Sequence, residues 1–291
     1  MKILFLGTSG GESYPGVWCA CPNCAYARAR GGRNIRMNTG TMIDDDVLLD
    51  LNSCGFHTAA RLGVSLTGVK TLLATHPHPD HMTIEPLEWR AVPEWVEKLP
   101  EDERVHYSAA RFTPLPMMTV YGNACVEKLL MERRPELFDD SSNARMRFVR
   151  IHEGETVEAE NLTFTPVRAR HGEPGFAHSY ILRRGGKTLL YALDTGGYDP
   201  DMLELIYAGR YDGVITEGTL GLCDAPADGH MSKAKNVAFR KALLEHGCIS
   251  ENTPVFLTHM SPHWTPPHDL YAPMMAEEGF TVAYDGMIAE I

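Results

Sequence analysis

Short apolar runs, most of them ending at a glycine or at a polar residue able to do chemistry, recur from one end of this chain to the other. Met1-Lys-Ile-Leu-Phe-Leu runs into Gly7, and residues 39–51 read as two strands around the acidic turn Asp44-Asp45-Asp46. Runs of four to eight apolar or β-branched residues bounded by turn signals mark buried strands. Residues 69–74, 119–121, 146–151, 162–168, 212–217 and 254–259 fit that description, and 180–194 reads as a hairpin about Gly185-Gly186. Helical patterning falls between them, in pieces over 84–98 and continuously over 123–133 and 233–245, the last with Ser232 as N-cap. At 291 residues, 44% hydrophobic and 22% charged, the chain can build one large layered domain or two small ones, and no second core is needed.

The densest chemistry follows the run at 69–74. His76, His78, Asp80 and His81 lie within six residues. An extended segment sends residues i and i+2 to one side, so His76 and His78 can face one ion while Asp80 and His81, where the chain must turn, face another. Pro77 and Pro79 stiffen that loop and reduce the entropy lost in fixing it. Two later strand ends carry His171 and Asp194, and one carboxylate can bridge two cations through its two oxygens. The run at 254–258 ends in His259. A second cluster, Cys19-Ala-Cys21-Pro-Asn-Cys24, offers three soft thiolates around a Pro22-Asn23 knuckle, and a closed zinc site would need a fourth ligand such as a distant histidine. Gly7-Thr-Ser-Gly-Gly11 lacks the Gly-Lys-Ser/Thr ending of a nucleotide loop and reads as a tight turn beside the site.

His-x-His-x-Asp-His after an apolar strand resembles the signature of the metallo-β-lactamase superfamily. The resemblance implies a four-layer αββα sandwich of class α/β (α+β), a single domain over 1–291 with two mixed sheets face to face, helices outside and the site at one edge. It implies a binuclear site with His76, His78 and His171 at one ion, Asp80, His81 and His259 at the other, and Asp194 between them. Gly7-Thr-Ser-Gly-Gly, Cys19-x-Cys21-x-x-Cys24 and Ala27-Arg28 sharpen the likeness to the branch of the PhnP-type cyclic phosphodiesterase, with PqqB and tRNase Z more distant. The likeness covers residues 1–85 well and the rest by scattered motifs. In that branch three cysteines and a late histidine hold a structural zinc, which here points to Cys19, Cys21, Cys24 and His263, with His268 as the alternative. His230, in Asp228-Gly-His230-Met-Ser232, falls where the branch has a proton donor to the leaving group.

The expected activity is that of a di-metal-dependent hydrolase, a phosphodiesterase acting on a small phosphodiester, cyclic ones included. A metal-bridging hydroxide would attack phosphorus, with Asp80 and His230 as catalytic groups. The alternatives are a glyoxalase-II-type thioesterase or lactonase and a non-catalytic PqqB-like accessory protein. Imidazole with carboxylate accepts zinc, manganese or iron. A net charge of −11 argues against a face that grips long nucleic acid and leaves a small anionic substrate. The absence of an 18-residue apolar window speaks against a membrane span, the short first run against a signal peptide, and seven cysteines for a reduced compartment, so a cytoplasmic location is expected. Residues 83–119 depart from the compact pattern as an insertion. Its Trp89, Trp95, Tyr107 and Phe112 would serve a lid, a homodimer interface or plain packing equally well. Asp50 reads either as support behind a ligand histidine or as a strand-end cap, and His178 as a weaker claimant to the position of His171. Cys54, His57, His106, His152 and His246 read as surface or packing residues.

Overall fold

The computed structural model describes residues 1–104, 115–160, 162–224 and 229–291; His106, Tyr107, Phe112 and Asp228 lie outside them. Among the described residues the strands form two seven-stranded sheets. The first runs β14 (Ile288–Glu290), β1 (Lys2–Gly7), β2 (Gly40–Ile43), β3 (Val47–Leu49), β4 (Thr71–Leu73), β5 (Met118–Gly122) and β6 (Met146–Arg150). The second runs β13 (Thr281–Val282), β12 (Val255–Thr258), β11 (Gly213–Glu217), β10 (Lys187–Ala192), β9 (Ala177–Arg184), β8 (Leu162–Ala169) and β7 (Val157–Ala159). Both sheets are mixed: β3 to β6 and β10 to β13 pair in parallel, and the remaining pairs are antiparallel.

Strand period explains the layering. In β4, Leu73 points into the core between the sheets with Phe5, Leu49, Phe164 and Tyr180, while Leu72 points outward with Leu48, Val126 and Leu130. A central parallel strand is covered on both faces, so it reads as a continuous apolar run rather than an alternating one. The outer face of the second sheet packs against the helices Pro200–Tyr207, Lys233–Glu245 and His268–Ala276, and that of the first against Ser53–Arg61 and Ala124–Arg133. The result is the expected αββα sandwich. Helix starts are capped as the sequence suggests: Ser232 Oγ accepts from the Lys235 amide, and Asn52 and Asn123 accept at Gly55 and Val126. In the 83–119 stretch, short helices cover Glu85–Glu88 and Glu94–Glu97, and Ile84 and Leu87 are buried on the outer face of the first sheet while Trp89 and Trp95 are exposed.

The strand directions bring the carboxyl ends of β1, β3, β4, β8, β10, β11 and β12 to one edge of the sandwich. Crevices outside carboxyl strand ends are where such sheets bind ligands. Three side chains there sit on left-handed backbone, Asp50 (φ 60°), Asp194 (φ 43°) and His259 (φ 57°). Asp and His tolerate that region better than most residues, and such conformations gather at functional sites. Each turns the chain sharply at the end of its strand.

Candidate metal centre

The loop after β4 is held rigidly before any ion is considered. Asn52 donates to the carbonyls of Thr39 and Asp80, both at 2.6 Å, which fixes the turn that presents Asp80 and His81. His76 Nε2 and His171 Nε2 lie 2.9 and 3.1 Å from His78 Nδ1, and both lie 3.7 Å from Asp194 Oδ2. His81 Nε2 and His259 Nε2 are 3.0 Å apart, each is 3.2 Å from Asp194 Oδ1, and Asp80 Oδ2 lies 3.5 and 3.3 Å from them. Ligand atoms about 2.0–2.1 Å from one ion, at angles between about 90° and 110°, stand roughly 2.9–3.4 Å apart. The second pocket falls in or within 0.1 Å of that range and the first does so among its imidazoles, with Asp194 Oδ2 somewhat farther at 3.7 Å, so the two pockets lie on the two oxygens of one carboxylate.

The electrostatics favour cations in both. Burial lowers the pKa of His76, His78 and His171 below the ordinary imidazole value, which keeps them neutral with lone pairs available. Burial alone would raise Asp80 and Asp194, but the imidazoles around them hold both carboxyls well below the usual range. Burial opposes a charge on His81, yet Asp194, Asp50 and Asp80 pull its pKa well up, so an ion entering there takes the place of a proton. Asp194 Oδ1 is buried with only the Nε2 atoms of His81 and His259 against it, each at 3.2 Å and neither in good hydrogen-bond geometry. A buried carboxylate oxygen left in that state is costly unless a cation satisfies it.

Behind the pockets stand further partners. His81 Nδ1 lies 2.7 Å from Asp50 Oδ2, and the Thr75 amide and hydroxyl donate to Asp50 as well, so Asp50 backs a centre histidine. His171 Nδ1 faces the Gly229 carbonyl at 3.0 Å, and His259 Nδ1 faces Thr219 Oγ1 at 2.7 Å. Gly10 lets the turn come close to the ring: a Cβ there would lie 3.0 Å from His259 Cε1, so the ring would have to shift by a few tenths of an ångström. Phe176 closes the other flank, its ring centroid 5.0 Å from that of His78. Of these residues the sequence marks Asp50 and, within the Gly7–Gly11 and Asp228–Ser232 segments, Gly10 and Gly229; Thr75, Thr219 and Phe176 carry no local motif.

His230 lies beside the centre, its ring 4.8 Å from that of His171. Its Nδ1 lies 3.0 Å from Glu217 Oε1, and Glu217, wholly buried, also accepts from the Met231 and Thr219 amides. Burial opposes protonation of His230, but the Glu217 carboxylate outweighs it and raises the imidazole to about 9.

The cysteine cluster forms separately. Cys19, Cys21 and Cys24 bring their sulfurs together at the start of the helix Pro22–Arg30, and His263 Nδ1 lies 3.6 Å from Cys19 Sγ. A thiolate and an imidazole on one tetrahedral zinc are about 3.6 Å apart. Burial would raise Cys21, but the amide of Cys24 and neighbouring thiols bring it down to about 7. His268 Nδ1 is instead 3.0 Å from the buried Arg36 guanidinium, which places it outside the cluster. His178 is also elsewhere: it is buried, with Nε2 3.7 Å from Glu153 Oε2. All seven cysteines are free, and among the described residues no helix is long and apolar enough to cross a membrane.

A crystal structure of a diphosphatase from the PhnP family superposes with a TM-score of 0.69 at 20% identity, covering 100% of this chain and 96% of that one. Zn(2+)-bound PqqB from Methylobacterium extorquens gives 0.70 at 17% identity with all of both chains covered. The short form of human tRNase Z gives 0.61 at 15% identity, covering 100% and 99%. At these identities the likeness is one of fold. A search of curated proteins finds no match. The profile of the beta-lactamase superfamily domain matches residues 46–260, which span the strand-end loops from Asp50 to His259. This chain thus belongs to the beta-lactamase superfamily.

Proposed function

We propose that the chain is a di-metal phosphodiesterase acting on a small anionic phosphodiester, cyclic ones included. His76, His78 and His171 would hold one ion, Asp80, His81 and His259 the other, and Asp194 both; Cys19, Cys21, Cys24 and His263 would hold a structural zinc. The buried Asp194 carboxylate, with Oδ1 facing His81 and His259 and Oδ2 facing His76 and His171, is what such an ion pair satisfies. What divalent zinc, manganese or iron supplies at such a centre is water acidic enough to lose a proton near neutral pH and positive charge facing a phosphoryl oxygen.

The chain's own residues do the rest. Asp80, 14% exposed at its side chain, is placed to orient the water by accepting its hydrogen bond, and the proton that water releases passes to solvent. His230, held protonated by Glu217, gives a proton to the departing oxygen, and Glu217 keeps the other ring N–H in place. His230 is the observation that carries the reading. An alkoxide is a poor leaving group that needs this proton, whereas a thiolate leaves without one. The product is a phosphate monoester. Seven free cysteines suit a reduced, cytoplasmic setting. A second reading, a PqqB-like accessory role, draws on the full two-way coverage of that fold.

The test is turnover of bis(p-nitrophenyl) phosphate and a ribose cyclic phosphate beside a thioester and a lactone, on metal-analysed protein with His78→Ala as control. Diester cleavage lost in the variant supports the proposal. Thioester or lactone turnover alone overturns it, and no turnover with metals bound favours the accessory role.

A further inference from the structure

The glycine turn after β1 touches both metal-holding clusters. At its near end the Gly10 amide donates to the Met260 carbonyl at 3.0 Å, and the Met260 amide donates to the Thr8 carbonyl at 3.0 Å. Ser9 Oγ lies 2.5 Å from the Glu12 carbonyl and 3.0 Å from that of Met260. Between these bonds Gly10 lies against the ring of His259, and a Cβ at Gly11 would stand 3.8 Å from Asp80 Oδ2. The turn thus forms a wall of the second ion pocket.

At its far end stands Glu12. Its Oε2 lies 2.9 Å from His263 Nε2, while Nδ1 of the same ring faces Cys19 Sγ. One imidazole is held between a carboxylate and the thiol cluster. Glu12 and His263 are 54% and 40% exposed, and an ion pair so open to water contributes little by itself. A carboxylate behind a metal-facing imidazole does more: it fixes the tautomer and ring orientation and makes the nitrogen a better donor, and losing it costs about 10- to 100-fold in metal affinity.

We propose that Glu12 is a positioning residue that fixes His263 as the fourth partner of the cysteine cluster and, through the same contact, clamps the glycine turn against His259 and Asp80. This rests on the reading that Cys19, Cys21, Cys24 and His263 bind zinc. The cluster is then more than a local staple. Removing the zinc from its thiolates frees His263, releases Glu12 and loosens the wall of the second pocket 4 residues away along the chain, at His259.

The experiment uses the full chain with Glu12→Gln, Glu12→Ala and His263→Ala. Thiolate-bound zinc is counted by mercurial release, its affinity is read by competition with a chelator, and the manganese affinity of the histidine–aspartate centre is measured separately. Glu12→Ala is expected to weaken thiolate zinc by about 10- to 100-fold and to lower manganese affinity as well. Glu12→Gln, which keeps the acceptor and loses the charge, should fall between it and the unmodified chain. If His263→Ala weakens the zinc but Glu12→Ala does not, the role of Glu12 is overturned while the zinc reading stands. If the unmodified chain holds no thiolate zinc, or His263→Ala changes nothing, the zinc reading fails and takes the proposal with it. Weakened zinc with unchanged manganese affinity overturns the clamp.

Discussion

The two pockets that share Asp194 are built differently. The first offers three neutral imidazoles. His76 rests on the Thr75 hydroxyl at 3.0 Å, His171 on a peptide carbonyl, and His78 is the most open of the three, braced by the ring of Phe176. The second adds a carboxylate, Asp80, and backs His81 with another, Asp50, at 2.7 Å. It also has Gly10 pressed against His259. More negative charge and stiffer support mean tighter binding of a divalent cation with less ordering at the moment of capture. The second pocket should therefore fill first and empty last, and the first pocket should set the metal concentration at which activity appears.

Asp194→Asn strikes at what the pockets have in common. We expect it to reduce hydrolysis to background and to leave less than two ions per histidine–aspartate centre, as read by metal analysis. Next in size, His230→Gln leaves both pockets intact and should lower kcat by about 10²- to 10⁴-fold with metal content unchanged. His230 is protonated below about 9, so the rate should fall as pH rises through that value. Removing the Glu217 charge (Glu217→Gln) removes the group that raises it, and the falling limb of the pH–rate profile should move to lower pH. Asp50→Asn attacks the asymmetry itself: second-pocket affinity should drop about 10- to 100-fold, enough to make the two filling steps merge or exchange order in a metal titration. The smallest effect is Gly10→Ala. The added Cβ meets a ring edge that can tilt, so second-pocket affinity should fall by about tenfold at most, with the first pocket unaffected.

What the sequence disclosed and what it hid divide along the same line. The first and second pockets draw four of their groups from residues 76–81, a density legible without any structure, and His171, Asp194 and His259 each stand at the end of an apolar run. Supporting residues left no such trace. Glu217 is 13 residues from His230, Asp50 is 31 from His81, and Thr219 is 40 from His259, so each pairing exists only because strands meet at one edge. The sequence leaves Asp50 between two roles for that reason, and nothing in it marks Asn52 or Glu12. Of His263 and His268, the first lies against Cys19 and the second against the buried Arg36, through a contact 232 residues apart in sequence. In the fold, the long strands and the capped helices Ala124–Arg133 and Lys233–Glu245 were readable from period and caps. β7, β13 and β14 were not, since two or three residues carry too little pattern and their edges are fixed by pairing with β8, β12 and β1.

The most direct test is to follow phosphodiester cleavage while manganese is titrated into metal-free protein whose cysteine cluster has been filled with zinc. Activity is expected to stay near background through the first equivalent bound at the histidine–aspartate centre and to rise with the second. Full activity at one equivalent, or no phosphodiester cleavage with both pockets filled, would contradict a shared, two-ion hydrolytic centre.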